Sequence, residues 1–315
     1  MVQRRKAAAV ARWAVVGVCG WMLVEAGPGS ANTPGRPEFD KPIEIRLPPS
    51  EGIAKTTPAN TITILCWNIN GGRDLPKVKA GLAREPADLY VLQEVDSLTQ
   101  RTGETNIPQD LAEQLQANSS FGIEFEELSQ EGAGALKERG AFTGQATFTR
   151  LPMQKSRVLR FKHQSGFWSP HSWLPSSMPL FQRRLGGRIA LITEHTVGGR
   201  LFVVYNVHYE SRSYGRIQLD QLSETLEDMK KYPPGTSFVL AGDLNSKYFP
   251  SIFLERLKRE GFQNSTGDRI ERTHELVGSL DWILARGPVR LEAGKVRRDI
   301  SGSDHYPIFA TLKWE

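Results

Sequence analysis

Ten short strand-like segments, most of them apolar, are spread between residues 62 and 312, and four segments of helical periodicity lie among them. The strand-like runs cover residues 62–67, 89–92, 123–128, 145–148, 157–161, 189–193, 201–207, 238–241, 281–284 and 308–312. The helical segments cover residues 78–83, 110–116, 216–231 and 252–260, and in the third of these Leu219, Leu222, Leu226 and Met229 share one face. No turn-only region long enough to divide the chain separates these elements. The pattern therefore predicts one layered α/β domain.

The first 31 residues have a different character. Arg4, Arg5 and Lys6 precede an uncharged apolar stretch at residues 13–24, and small residues follow at 26–31. This order is typical of a secretory signal peptide, and the apolar stretch is shorter than the roughly 17 to 25 residues that span a bilayer. We therefore expect a protein exported to the periplasm or the cell exterior, with residues 1–31 removed. An uncleaved membrane anchor is the alternative.

Residues 32–60 are rich in Pro, Gly, Thr and charged residues and show no sustained periodicity. Such a composition predicts a flexible linker, so the folded domain is expected at residues 61–315. Cys66 is the only cysteine besides Cys19, which lies in the segment expected to be removed. The mature chain then cannot form an intrachain disulfide.

Net charge gives little support for a polyanionic partner. The chain carries +5, and its first 31 residues contribute +3 of that through Arg4, Arg5, Lys6, Arg12 and Glu25. Local clusters must therefore supply any contact with a nucleic-acid backbone. The candidates are Lys155, Arg157, Arg160 and Lys162; Arg183, Arg184 and Arg188; and Arg212 and Arg216. A solvated charged surface is the alternative interpretation of these clusters.

An aromatic stretch lies between residues 163 and 185. It carries Phe167, Trp168, Trp173, Leu174 and Phe181 among serines and prolines. Aromatic side chains of this kind could stack on bases or insert at a lipid interface. A third interpretation is that these aromatic side chains pack over the core of the domain itself.

Five short polar clusters stand where apolar runs end or begin. They are Asn68, Gln93 with Glu94, His208, residues 242–245 and residues 303–305. Rigid strand ends that meet variable loops are where an α/β scaffold gathers its functional side chains. Any one of these clusters alone is more typical of a turn or a structural residue. All five in one chain are harder to explain in that way.

The residue types in these clusters predict metal-assisted phosphoryl hydrolysis. Oxygen donors suit a hard cation such as Mg²⁺ or Mn²⁺, and the lack of paired cysteines or closely spaced histidines disfavours zinc. Two histidines add groups that can donate a proton near neutral pH. The oxygen donors are Asn68, Glu94, Asp243, Asn245 and Asp304, and the histidines are His208 and His305. A cation, carboxylates and imidazoles together suit the hydrolysis of phosphoesters.

Six motifs in this order resemble the signature of the endonuclease/exonuclease/phosphatase superfamily over residues 61–315. They are W-N-I-N at 67–70, L-Q-E-V at 92–95, N-V-H at 206–208, G-D-L-N at 242–245, L-D-W-I-L at 280–284 and S-D-H-Y-P at 303–307. The superfamily includes pancreatic-type deoxyribonuclease, exonuclease III and tyrosyl-DNA phosphodiesterases. The His-x-Glu-Ser at 208–211 is more like the phosphodiesterase branches that include the last of these, and many members of the superfamily share it. The same segment lacks the tyrosine motif common among abasic-site nucleases.

The resemblance implies a fold and a metal site. The fold would be a four-layer α/β sandwich of two mixed β-sheets flanked by helices, with the active site at one edge. Glu94 would be the main metal carboxylate, and Asn68 and Asp304 would complete the shell directly or through water. The cation would be Mg²⁺ or Mn²⁺.

The resemblance also implies catalytic roles. Asp243 and Asn245 would orient the attacking water and hold a phosphate oxygen. His305, aligned by the carboxylate of Asp281, would face the scissile phosphate. His208 would donate a hydrogen bond to the phosphoryl oxygens.

These features predict an exported, metal-dependent phosphodiesterase, with DNA or RNA slightly favoured as substrate. A phospholipid, as in sphingomyelinases, or a small phosphorylated metabolite is the alternative, and peripheral contact with a membrane goes with the first of these. A catalytically inactive binding module on the same fold is disfavoured by the intact set of polar residues. No sequence feature indicates a protein partner.

Overall fold

The computed structural model describes residues 38–47, 60–128, 140–166 and 183–314. In these residues the first sheet contains β1 (Ile43–Ile45), β2 (Thr61–Gly71), β3 (Leu89–Ser97), β4 (Asn118–Glu127), β5 (Phe142–Thr149), β7 (Arg184–Gly186), β13 (Val289–Val296) and β14 (Ile308–Trp314). The second contains β6 (Met153–Arg160), β8 (Ile189–Val197), β9 (Arg200–His208), β10 (Ser237–Asp243), β11 (Gln263–Asn264) and β12 (Asp281–Arg286). The α-helices are α1 (Leu75–Arg84), α2 (Ile107–Leu115), α3 (Arg216–Met229) and α4 (Pro250–Arg259).

Both sheets are mixed. The first has the order β1-β4-β5-β3-β2-β14-β13, with β7 also paired to β4, and the second has the order β11-β12-β10-β9-β8-β6. The pairs β2–β3 and β9–β10 are parallel, and the other pairs are antiparallel. Carboxyl ends of parallel neighbours meet at one edge of a sheet, so β2 with β3 and β9 with β10 each bring two polar strand ends together.

Alternation along the strands produces the layers. In β2, Ile64 and Cys66 belong to the core between the sheets, whereas Leu65 and Trp67 pack with residues of α1 and α2. In the second sheet, strand residues that face outward pack with α3 and α4. Because successive side chains of a strand point to opposite faces, each sheet buries both of its faces. The predicted four-layer sandwich is confirmed.

The apolar face predicted for residues 216–231 is also confirmed, because Leu222, Leu226 and Met229 of α3 are buried in the outer core of the second sheet and Leu219 packs against it. None of the helices in the described residues is long and apolar enough to span a bilayer. The predicted signal peptide lies outside the described residues.

One part of the linker prediction is wrong. β1 lies inside residues 32–60, and it pairs antiparallel with β4 through Ile43 and Phe121. Arg46 donates to the carbonyl oxygen of Met153 at 3.0 Å, and the amide of Leu47 donates to Asn118 Oδ1 at 3.0 Å. Residues 43–47 are therefore an integral edge of the first sheet.

Candidate active site

Strand pairing brings three predicted catalytic residues side by side. In the second sheet, Asp243 at the end of β10 pairs with His208 at the end of β9. On its other side Asp243 pairs with Asp281, the first residue of β12. These three side chains thus occupy neighbouring positions across three strands at one edge of the sheet.

Two site residues hold backbone conformations that are uncommon for residues other than glycine. Glu94 has φ 49° and lies where the pairing of β3 with β5 shifts register, between Leu92 and Val95. Asn245 has φ 46° just beyond β10. Register shifts re-aim side chains, and left-handed backbone at non-glycine residues is concentrated at functional sites.

Asn68 connects the two sheets at the site. Its Nδ2 donates to Glu94 Oε1 and to Asp243 Oδ2, both at 3.2 Å, and its Oδ1 accepts the amide of Asn70 at 3.1 Å. In this orientation Asn68 positions two carboxylates, and its amide oxygen keeps a second lone pair that can serve a cation directly or through water.

Glu94 and Asp304 are the carboxylates that a solvated cation can reach. Their side chains are 35% and 42% exposed, whereas those of Asp243 and Asp281 are 3% and 0% exposed. Partial burial favours the neutral form of Glu94, but the nearby His208 and His305 outweigh it and lower the pKa of this carboxyl to about 2. An oxygen site built from few carboxylates and open to water is the kind that Mg²⁺ and Mn²⁺ occupy.

Ser303 ties Asp304 to the rest of the site. Its hydroxyl donates to the carbonyl oxygen of Asn68 at 2.8 Å, lies 3.2 Å from Asp304 Oδ1, and accepts the amide of His305 at 3.1 Å. Asn68, Glu94 and Asp304 are the residues predicted to hold the cation. Asn68 contacts Glu94, and Ser303 contacts both Asn68 and Asp304, so the three are linked.

His305 forms a buried pair with Asp281. The Nδ1 of His305 lies 2.8 Å from Asp281 Oδ2, and Trp67 Nε1 donates to the carbonyl oxygen of His305 at 2.8 Å. Burial opposes the charged form, but Asp281 and then Asp243 and Glu94 outweigh it and raise the pKa of His305 to about 10. His305 thus carries a positive charge, with its Nε2 turned toward Asp243 Oδ2 at 4.0 Å.

His208 is supported by a buried ion pair that the sequence did not indicate. Its Nδ1 lies 3.3 Å from Glu124 Oε2 on β4, and Arg188 Nη1 donates to the other oxygen of Glu124 at 3.0 Å. Burial favours the neutral form of Glu124, but His208 and Arg188 outweigh it and lower the pKa of this carboxyl. The Nε2 of His208 faces Glu94 and Asp243 at 3.8 and 3.7 Å.

Asn245 is buried between its own loop and the loop that follows His208. The backbone amide of Asn245 donates to Asp243 Oδ1 at 2.8 Å, and the side-chain Nδ2 donates to the carbonyl oxygen of Tyr209 at 3.0 Å. Glu210, part of the His-x-Glu-Ser motif, accepts the amides of Ser165 and Arg212 at 3.1 and 3.0 Å. Glu210 therefore has a structural role in this loop.

His274 is a second residue that the sequence did not indicate. Its ring meets that of His305 edge to face with centroids 4.6 Å apart, and its Nε2 lies 3.5 Å from Asp304 Oδ2. Ligand atoms of His274, Asp304 and His305 lie within 4.8 Å of one another. However, His274 Nδ1 accepts the amides of Leu276 and Val277 at 3.0 and 3.2 Å. The ring proton is then on Nε2, which leaves His274 a donor toward Asp304 and no lone pair for a cation.

Four arginines of the candidate basic clusters are paired with carboxylates of the protein. Arg157 pairs with Asp228, Arg160 with Asp40 at 2.8 Å, Arg184 with Glu127 at 2.8 Å and Arg188 with Glu124 at 3.0 Å. Lys155, Lys162, Arg183, Arg212 and Arg216 remain exposed. The aromatic side chains from Phe167 to Phe181 lie outside the described residues.

A known protein family and several solved structures resemble this chain. The profile of the endonuclease/exonuclease/phosphatase family matches residues 65–305. No curated protein matches the chain. Among solved structures, an endonuclease/exonuclease/phosphatase protein from Beutenbergia cavernae is 20% identical, with a TM-score of 0.61, over 81% of this chain and 72% of that one.

Two further structures show the same fold. TDP2 from C. elegans is 20% identical, with a TM-score of 0.51, over 80% of this chain and 75% of its own. An endonuclease/exonuclease/phosphatase family protein from Bacteroides thetaiotaomicron is 13% identical, with a TM-score of 0.54, over 81% and 98%.

Proposed function

Because this chain belongs to the endonuclease/exonuclease/phosphatase family, we propose that it hydrolyses phosphodiester bonds with the help of a divalent cation, Mg²⁺ or Mn²⁺. One observation carries the proposal. A positively charged His305, held by the buried Asp281, lies beside two solvent-reachable carboxylates and a buried acceptor, Asp243. This is an arrangement that can bind a phosphate group, orient water and stabilise the charge of the transition state.

Glu94 and Asp304 would hold the cation, with Asn68 fixing the carboxylate of Glu94. A bound cation supplies positive charge that offsets the developing charge on the phosphoryl oxygens. The oxygen donors and their exposure fit such an ion.

Asp243 would orient the attacking water. Its Oδ2 is the acceptor that Asn68 Nδ2 contacts at 3.2 Å and that both active-site imidazoles face. A fixed acceptor can hold a water in line with the phosphorus atom, and no covalent enzyme intermediate is then required.

The two imidazoles would bind the phosphoryl oxygens. His305 donates from Nε2 as a cation, because Asp281 occupies its Nδ1. His208 turns its Nε2 toward the site, because Glu124 lies beside its Nδ1. Donors that are held in place before the reaction stabilise transition-state charge without a cost of reorganisation.

Two substrate classes suit this site. The basic clusters favour nucleic acid slightly, but the internal pairing of four arginines removes part of that support. A phospholipid is favoured by apolar side chains exposed around the site. Assays of the purified protein with Mg²⁺ or Mn²⁺ against DNA, RNA, sphingomyelin and phosphorylated inositols would separate these classes.

Hydrolysis of bis(p-nitrophenyl) phosphate tests the reaction itself. Activity should vanish with EDTA and return with Mg²⁺ or Mn²⁺. Glu94→Gln keeps the shape of the side chain but removes the charge that anchors the cation, so the cation concentration needed for half-maximal rate should rise. Glu255→Gln, which removes an exposed carboxylate on α4, is the matched control. Metal-independent turnover, or a normal metal requirement in folded Glu94→Gln, would refute the proposal.

A further inference from the structure

Exposed apolar side chains are concentrated around the active site. Among the described residues eight large apolar side chains are exposed, and seven of them lie on or beside three loops that adjoin the catalytic residues. These loops comprise residues 209–215, 244–249 and 265–280, and they follow His208, follow Asp243 and precede Asp281. The eighth residue, Ile43, is on the edge strand β1. Scattered apolar exposure is normal, whereas exposure concentrated at one place indicates an interaction surface.

The first two loops form an aromatic lobe. Tyr214 is 80% exposed, and its ring lies 5.1 Å from that of Tyr248. Phe249 and Ile252, at the start of α4, are half exposed beside them. Lys247 lies over the Tyr248 ring at 5.3 Å and joins the two loops by donating to the carbonyl oxygen of Ser211 at 3.2 Å.

The third loop forms an aliphatic lobe. Leu276 is 88% exposed, and Val277 and Ile270 are 43% and 45% exposed. The backbone amides of Leu276 and Val277 donate to the ring of His274, so the loop tip is held against the active site. Ser246 Oγ donates to the carbonyl oxygen of Ser279 at 3.0 Å, which places this loop against the second one.

The composition of the two lobes decides between partners. Bases stack on flat aromatic rings, so a nucleic acid would use the aromatic lobe and leave the exposed leucine, valine and isoleucine in water. A bilayer surface accommodates both lobes, because aromatic side chains favour the headgroup level and aliphatic side chains favour the acyl region. Four arginines near the lobes are exposed, Arg212, Arg216, Arg269 and Arg272, against two exposed acids, Asp268 and Glu275. This excess of positive charge complements anionic headgroups.

We propose that the aromatic and aliphatic lobes together dock the protein on the surface of a bilayer that contains anionic phospholipid. The docked active site faces the headgroup layer, where phosphodiesters are abundant. Only this last step rests on the proposed function, since the docking itself requires no hydrolysis.

Local labels test the docking. The full chain carries Cys19→Ser, because Cys66 is buried and does not compete for the label. An environment-sensitive fluorophore is attached through Leu276→Cys in the aliphatic lobe, Ile252→Cys beside the aromatic lobe, or Ile43→Cys as the control. The probe is a vesicle of equal parts phosphatidylcholine and phosphatidylglycerol, with EDTA present so that no hydrolysis alters the lipid. All three variants keep the same N-terminal segment, so its own affinity for lipid cannot distinguish the label positions.

The labels at 276 and 252 should shift their emission to shorter wavelength and be quenched by a lipid-borne quencher, and the label at 43 should not respond. No sedimentation with the vesicles, a response at only one lobe, or an equal response at residue 43 would overturn the inference. So would a response to a single-stranded oligonucleotide without one to vesicles, which would assign the aromatic lobe to nucleic acid. Insertion without turnover on any phosphoester would leave docking intact and refute the proposed function.

Discussion

Exposure separates the four site carboxylates into two pairs with different tasks. Glu94 and Asp304 face solvent, where a hydrated cation can exchange water for carboxylate oxygen. Asp243 and Asp281 are buried beside fixed donors, which suits the first to holding a water and the second to charging His305, and neither to binding a hydrated cation. Changing the buried pair should therefore alter turnover more than cation affinity.

Asp281→Asn tests this separation. The variant keeps the size of the side chain but removes the charge that holds the proton on His305 Nδ1, so the imidazole loses its fixed tautomer and its positive charge. We expect kcat to fall by on the order of a hundredfold or more, with an unchanged melting transition. Steady-state rates with bis(p-nitrophenyl) phosphate and thermal circular dichroism measure both. Asp299→Asn at the surface is the control, and a near-normal rate in folded Asp281→Asn would contradict the assignment.

All eight site residues predicted from the sequence lie in one cluster. They could be predicted because each stands at a strand end or in a motif that can be identified without a structure. Glu124 and His274 could not be found in that way. Glu124 lies inside a strand, where only its burial and its two partners give it a role. His274 belongs to no motif, and its contact with Asp304 depends on the fold of residues 273–279.

His274 is expected to position Asp304. Its Nε2–H points at the carboxylate from a ring that two backbone amides hold in place, and such outer-shell donors typically change metal affinity by about 10- to 100-fold. His274→Phe should weaken Mn²⁺ binding, and His274→Gln, which keeps a donor, should recover part of it. Electron paramagnetic resonance of free Mn²⁺ gives the affinity without an activity assay. Equal Mn²⁺ affinity in wild type and His274→Phe would exclude the role.

At the scale of elements, the strands missed from the sequence are edge strands. β1 and β13 close the two ends of the first sheet, β7 pairs only with β4, and β11 is at one end of the second sheet. An edge strand needs only partial burial, so it does not produce a continuous apolar run. In β13, Arg290, Glu292 and Lys295 interrupt the apolar residues. The interior strands are buried on both faces and carry apolar residues that predict them, although polar residues interrupt the pattern in β4 and β5 and the strand ends extend beyond the predicted segments.

A buried histidine on strand β8 should make the stability of the domain decrease in acid. His195 is fully buried there, 2.8 Å from Thr193 Oγ1 and beside the ring of Phe202. Burial, with a smaller contribution from the charge of Arg46, lowers the pKa of His195 to about 3. Between this value and the ordinary pKa of about 6.5, the unfolded state binds one more proton than the folded state. The stability that a neutral His195 contributes is therefore fully present above about pH 6.5 and is lost as the pH falls below that value.

His195→Gln removes this titration and can keep the hydrogen bond to Thr193. Between pH 7.5 and pH 5 the wild type should lose about 2 kcal/mol more free energy of unfolding than the variant. Urea titrations at the two pH values measure the difference. His163→Gln, which changes an exposed histidine, is the matched control. Parallel pH dependence of wild type and His195→Gln would refute a neutral buried His195.

At the scale of the whole molecule, side chains from both sheets meet at the site, and Asn68 is one that contacts both. Asn68 on the first sheet donates to Glu94 of its own sheet and to Asp243 of the second. The repeated pattern of an apolar run followed by a polar cluster predicts that such strand ends exist, but it does not say which ends of different sheets meet. That information is carried by packing between the sheets, which joins residues far apart in the chain.

Residues 1–31 form a segment that we propose is a signal for export of the whole protein from the cytoplasm. Basic residues, an apolar stretch at 13–24 and small residues at 26–31 stand in the order of a cleaved signal peptide. Cleavage between about Gly27 and Thr33 would leave β1 in the mature protein, so the edge of the first sheet would stay intact. Mass spectrometry of the protein from its native host should find a start in this interval. Val15→Glu with Val16→Glu should interrupt the apolar stretch and leave the precursor uncleaved in the cytosol. An intact Met1 on wild-type protein in the soluble cytosolic fraction would show that the segment is not an export signal.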